Sequence, residues 1–109
     1  MLKALVIAAS LLSVPAFADT RWEREHPRRD QVNDRLENQH DRVRAGVRDG
    51  ELTRGEARRI HREDRTIRSE ERAMAAEHHG HLTRGEERRL DRQENRVSRQ
   101  IYRERHDGR

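Results

Sequence analysis

Three imidazoles and a carboxylate crowd the stretch Glu77-His78-His79-Gly80-His81. Neutral imidazole is a good ligand for zinc, copper or nickel. If the helices on either side run antiparallel, the segment carrying His26 returns to the same end, so His26, His78, His79 and His81 form one candidate ligand set. A flexible His-rich turn also collects such metals weakly and without selectivity, its imidazoles otherwise being solvated. His40, His61 and His106 lie elsewhere in the chain.

A second cation chemistry is suggested by Asp49-Gly50-Glu51-Leu52-Thr53-Arg54-Gly55-Glu56. Asp49, Gly50, Leu52 and Glu56 stand where the second half of a calcium-binding EF-hand loop has its acid, its invariant glycine, its apolar residue and its bidentate glutamate. The first ligand places would fall on Ala45 and Val47, which cannot coordinate through their side chains. Calcium is therefore not expected. Catalysis has little support. There is no Cys, serine beyond the first eighteen residues occurs only as Ser69 and Ser98, and no Gly-rich phosphate loop or His-Glu-x-x-His pattern is present.

Arginine supplies the remaining candidates. Arg88, Arg92, Arg96, Arg99 and Arg103 fall within roughly 80° of one another on a helical wheel, opposite Leu90, Val97 and Ile101. Arg58, Arg62 and Arg65, with Arg54 and Arg72, repeat the row one helix earlier. Such rows could meet lipid phosphates, lipopolysaccharide or an acidic protein. They could also meet a second copy of the chain, whose first helix groups Asp30, Asp34, Glu37 and Asp41 outward. The alternative is a solvated face in which pairs such as Asp64 with Arg68 and Glu56 with Arg59 add tenths of a kcal/mol. Nucleic acid is not expected. A net charge of +4 attracts a polyanion only weakly at long range, and no aromatics interleave the arginines.

The elements that must position these residues follow from a repeated instruction, Gly50-Glu51-Leu52-Thr53-Arg54-Gly55-Glu56 and Gly80-His81-Leu82-Thr83-Arg84-Gly85-Glu86. Gly50 and Gly80 suit the left-handed position just past a helix end. Thr53 with Glu56, and Thr83 with Glu86, have the spacing of a capping box, in which each side chain accepts from the other's backbone N–H. Each copy ends one helix and starts the next. Apolar residues agree: Val32, Leu36, Val43 and Val47 on a first helix; Ile60, Ile67 and Met74 on a second; Leu90, Val97 and Ile101 on a third. The predicted fold is all-α, with helices over about 29–49, 53–79 and 83–106. Short Gly-x-Leu-Thr turns make consecutive helices antiparallel neighbours. Residues 19–28 lack a sustained apolar period and read as a flexible arm.

Stripes this narrow bury little apolar area at ~25 cal/mol per Å², while each ordered residue costs ~1 to 2 kcal/mol of backbone entropy. Leu, Ile, Val and Phe make up well under the ~20% typical of folded chains once the leader is removed. The expectation is a marginal thin bundle or extended hairpin, completed by a homo-oligomer or another partner. The leader itself is Met1-Leu2-Lys3, an apolar run from Ala4 to Val14, and Pro15-Ala16-Phe17-Ala18, the pattern of a secretory signal peptide cleaved after Ala18. No run is long enough to span a bilayer as a helix. A periplasmic or secreted protein is expected.

The leader, the absence of Cys, the charge-dense helices and the paired Gly-x-Leu-Thr-x-x-Glu turns resemble small exported bacterial helical proteins of unassigned function. The closing Asn95-Arg96-Val97-Ser98-Arg99-Gln100-Ile101-Tyr102-Arg103 with His106-Asp107 looks like the end of such chains. Leu52-Thr53 and Leu82-Thr83 are also similar to the Leu-Thr-x-x-Gln helix starts of periplasmic stress chaperones and metal-stress proteins, with Glu56 and Glu86 standing where that family has Gln. Two readings follow. One is a non-enzymatic envelope or stress protein that binds through its Arg rows. The other is a divalent-metal protein that uses the His-rich turn.

Overall fold

The computed structural model describes residues 20–107; the leader read over residues 1–18, its cleavage point, Asp19 and the last two residues lie outside them. Those residues form four helices, α1 (Arg21–Glu25), α2 (Pro27–Arg48), α3 (Arg54–Glu77) and α4 (Arg84–Arg105), and no strand. The first departs from expectation. In place of an irregular arm, Thr20 and Glu23 close a capping box of the same Thr-x-x-Glu spacing as the two later ones. Pro27 then opens α2, where a missing N–H costs nothing.

The two long turns are built as their residues require. Gly50 and Gly80 adopt φ of +76° and +92°, where a Cβ would be strained. Thr53 and Thr83 each accept from the backbone N–H three residues on, at 3.0 and 3.1 Å, while Glu56 and Glu86 accept in return from the Thr N–H, both at 2.9 Å. The amides of Glu51 and Leu52 both donate to the Gly46 carbonyl, at 2.8 and 3.0 Å. A Cβ on Gly46 would stand 2.7 Å from Leu52 Cδ1, so the glycine is what lets Leu52 fold back onto α2.

Cross-helix contacts set the directions. Between α3 and α4 they join Glu70 with Gln93 and Arg59 with Glu104, so one number falls as the other rises and the helices are antiparallel. Between α2 and α4 they join Arg28 with Glu87, Arg35 with Asp91 and Arg42 with Ser98, the order of parallel neighbours. One seam runs where the three meet, holding Val32, Leu36 and Val43 of α2, Ala57, Ile60, Ile67 and Ala75 of α3, and Leu90, Val97 and Ile101 of α4. Leu52 and Leu82 close its two ends. Met74, expected inside the stripe, packs at its edge while Ala75 is buried.

The seam also contains residues that the apolar pattern passed over. Gln39, Asp64, Glu71 and Glu94 are all buried. Each stands in the alternating three- and four-residue spacing that continues the apolar positions, as in Ile60, Asp64, Ile67 and Glu71. Asp64 therefore does not sit on a solvated face with Arg68, where the sequence reading put it.

Candidate functional site

The α3–α4 turn gathers the histidines but divides them. His78 ends α3 with its N–H on the Ala75 carbonyl at 3.0 Å, and its Nε2 lies 3.2 Å from Glu86 Oε2. Glu77 adds a third donor, and the ligating atoms of Glu77, His78 and Glu86 all lie within 4.8 Å of one another. Glu86 is held below the usual carboxylate range, first by the Thr83 N–H that donates to it and further by His78. His79 lies outside this group, exposed at φ +57°. His81 and His26 instead stack face to face, centroids 4.7 Å apart and planes 12° apart. Stacked rings hold their nitrogen lone pairs in parallel planes, so the pair does not converge on one ion.

That stack ties the end of α1 to the α3–α4 turn. His26 also stacks on Trp22 at 4.5 Å and is fixed by its Nδ1, 2.8 Å from the Trp22 carbonyl. The Arg29 guanidinium lies 5.3 Å from the Trp22 ring centroid, a cation–π distance. Arg28 and Arg29 also donate to the carbonyls of Leu82 and Gly80, at 3.0 and 3.4 Å. The N-terminal end of the described chain is thereby tied to the turn that carries the histidines. Of the other histidines, His40 meets His61 in a tilted contact at 4.8 Å, and burial followed by His40 pushes His61 below the ordinary imidazole range. His106 stacks on the exposed Tyr102 ring.

At the first turn Glu56 spends one oxygen on the Thr53 N–H, which is the capping role. Thr53, Glu56, Thr83, Glu86, Gly50 and Gly80 thus all sit in the two turns.

The arginines follow a different pattern. Arg58, Arg62 and Arg65 of α3 and Arg88, Arg92, Arg96, Arg99 and Arg103 of α4 are all exposed, and none forms an ion pair among the described residues. The acids of the same helices are turned the other way. Glu77 is the one exposed acid on α3 or α4; the rest are buried or half-buried along the helix contacts. Arg96, Arg99 and Arg103 border an open groove of about 530 Å³ over Ile67 and Val97. Arg62 and Arg65 border an adjoining depression that shares Thr66 and Glu70 with it. Two acids also line the groove: Glu70 accepts from Gln93 Nε2 at 3.0 Å, and burial, then Glu104, raises the Glu63 carboxyl.

The buried polar residues form the third constellation. Glu71 is paired through both its oxygens with Arg29. Asp64 and Glu94 have no hydrogen-bond partner on any carboxyl oxygen, and Gln39 Oε1 also lacks one. Gln39 Nε2 donates to the Glu94 backbone carbonyl at 2.8 Å, and Arg35 Nε stands 3.7 Å from the Glu94 carboxyl. Burial is the main cause that raises Asp64 to about 7 and Glu94 to about 8. Neighbouring acids add to it, Glu63 at Asp64, and Asp91 and Asp64 at Glu94.

No family model matches the chain, and no curated protein or solved structure matches it. No helix of the described residues is long and apolar enough to cross a membrane.

Proposed function

We propose that this chain is an exported, non-enzymatic binding protein whose α3–α4 face docks on a phosphate-bearing envelope surface. One observation carries the reading: on the two helices every acid but Glu77 is buried or half-buried while the arginines of both rows are exposed and without ion pairs among the described residues, so a chain of small net charge presents a face dominated by guanidinium groups. Arginine forks match phosphate oxygens in bidentate geometry. The row from Arg88 to Arg103 spans roughly 22 Å at 1.5 Å per residue, enough to cover several headgroups. With a net charge of only +4, attraction acts at short range and is weakened by salt. On this reading the thin bundle is the scaffold of the rows, and a second copy is a competing occupant of them through its acidic α2 face.

The experiment is co-sedimentation of the mature chain with vesicles of phosphatidylcholine alone or mixed with phosphatidylglycerol, with mass followed by light scattering. Binding to the anionic vesicles only, lost on combining Arg92→Glu, Arg96→Glu and Arg99→Glu, is the expected result. Equal binding to both vesicle types, or none, overturns the reading. A fall in mass rather than in vesicle binding on charge reversal assigns the face to self-association.

A further inference from the structure

The two turns of the repeat share a capping box but differ in what stands across from it. At an offset of thirty residues, Val47 and Arg48 occupy the places of Glu77 and His78, while Glu56 corresponds to Glu86. The first repeat therefore has an apolar residue and a fixed charge at the places where the second has a carboxylate and an imidazole. The cap alone needs neither.

We propose that Glu77, His78 and Glu86 form a binding site for a borderline divalent cation, with zinc as the ion of best fit. Zinc bound tetrahedrally, at about 2.0 to 2.2 Å from nitrogen and oxygen ligands, sets those ligands about 3.3 Å apart. His78 Nε2 and Glu86 Oε2 are 3.2 Å apart, the edge of such a tetrahedron. The Glu77 carboxylate, exposed on the last residue of α3, reaches the third place by a change of rotamer, since its oxygen already lies within 4.8 Å of both partners. Water takes the fourth. The other Glu86 oxygen keeps its hydrogen bond from the Thr83 N–H at 2.9 Å, the kind of outer contact that orients a ligating carboxylate. One imidazole and two carboxylates, with no thiolate in the chain, select zinc over soft ions such as Cu(I). His79, His81 and His26, the other imidazoles of this end, are not needed. The site is separate from the arginine rows and does not depend on their role.

Isothermal titration of the mature chain with zinc chloride tests the proposal, with circular dichroism confirming that each variant is helical. One equivalent should bind. Glu77→Gln, on an exposed residue outside the cap, and His78→Ala should each weaken binding at least about tenfold. Glu86→Gln retains a residue type that completes a capping box and should weaken it as well. His79→Ala combined with His81→Ala should leave affinity within about twofold. Absence of zinc binding by the native chain overturns the proposal. So does native affinity in both Glu77→Gln and His78→Ala, or a loss of binding in the His79/His81 variant equal to that in His78→Ala.

Discussion

Helix α2 and the pair α3–α4 use the same charged residues in opposite orientation. On α2 four arginines turn inward while Arg44 and Arg48 stay exposed: Arg28 meets Glu87, Arg29 meets Glu71, Arg35 meets Asp91 and Glu94, and Arg42 donates to Ser98 Oγ at 2.8 Å. Its acids Asp34, Glu37 and Asp41 point outward. On α3 and α4 the acids other than Glu77 line the helix contacts, and the arginines other than Arg68 and Arg105 are exposed. The two halves are complementary. Because α2 supplies cations to acids of its partners, most of their own arginines, Arg59 and Arg105 apart, are left to face outward. Net charge says nothing of this, since what matters is the side of each helix on which a sign falls.

The largest way to break that arrangement is to remove an inward cation. Arg29→Met leaves Glu71, 1% exposed, without the guanidinium that holds both its oxygens. Stranding one buried charge costs about 3 to 5 kcal/mol. In a thin bundle that is enough to shift urea denaturation strongly or to abolish the folded baseline. The double variant Arg29→Met, Glu71→Leu should recover most of the loss, because the orphaned charge leaves with its partner. A double variant as unstable as the single would mean that Arg29 acts through its carbonyl and Trp22 contacts instead.

The outward faces can be tested against each other. Each basic residue near an anionic membrane is worth about 1 kcal/mol, so reversing Arg92, Arg96 and Arg99 should lower affinity for anionic vesicles at least a hundredfold. Neutralising Asp34, Glu37 and Asp41 with Asn, Gln and Asn should raise it only a few-fold, by removing repulsion from the opposite side. If both triple variants change binding by similar factors, net charge governs and the sorted faces do not.

Much of this was legible in the sequence, for local reasons. The two turns could be placed because a left-handed glycine and a Thr-x-x-Glu box are chemistry of adjacent residues. The arginine rows could be placed because a wheel needs only helical spacing. The α1 box was missed although Thr20-Arg21-Trp22-Glu23 carries the same signal, since a search for apolar period discards a helix that buries nothing. The buried Gln39, Asp64, Glu71 and Glu94 were missed for the opposite reason. Polar residues at seam positions look like solvent-facing ones until the three- and four-residue spacing is followed through them. The division of the histidines was not legible at all, because stacking of His26 on His81 depends on how α1 meets the α3–α4 turn.

The buried acids make the contrast between helices sensitive to pH. At the middle of the seam α2 contributes the uncharged Gln39, while α3 and α4 contribute Asp64 and Glu94. Both carboxyls are raised in the folded chain, to about 7 and about 8, from ordinary values of 3.8 and 4.5. The folded state therefore binds more protons than the unfolded one between these limits. Stability contributed by the protonated acids is complete below about pH 4 and is lost as pH rises through 7 and 8, by up to ~1.4 kcal/mol per pH unit for each group. Arg68 at Asp64 and Arg35 at Glu94 oppose the rise and moderate the slope. The thermal midpoint should fall from about pH 4 to about pH 8 and level off above that, once both acids are ionised in the folded and unfolded chain alike. Asp64→Asn and Glu94→Gln together should flatten that fall while leaving the acid-side midpoint close to native. An unchanged slope in the double variant would place the titration elsewhere.

The smallest effects separate helices that share a cap but not a core. Thr20, Thr53 and Thr83 each close the same box, and loss of such a cap costs ~1 kcal/mol where the helix folds with the rest of the molecule. Thr53→Ala and Thr83→Ala should lower global stability by that amount, since α3 buries Ala57 in its first turn and α4 follows the buried Leu82 and buries Leu90 in its second turn. Helix α1 buries none, and its hold on the bundle is the Trp22, His26 and His81 stack with Arg29 beside it. Thr20→Ala should therefore leave the global midpoint in place and instead change the emission of Trp22, the single tryptophan, as its ring leaves the imidazole. If Thr20→Ala lowered the midpoint as far as Thr83→Ala does, α1 would belong to the cooperative unit, and the N-terminal end would be part of the fold's stability rather than a local clasp over the histidine turn.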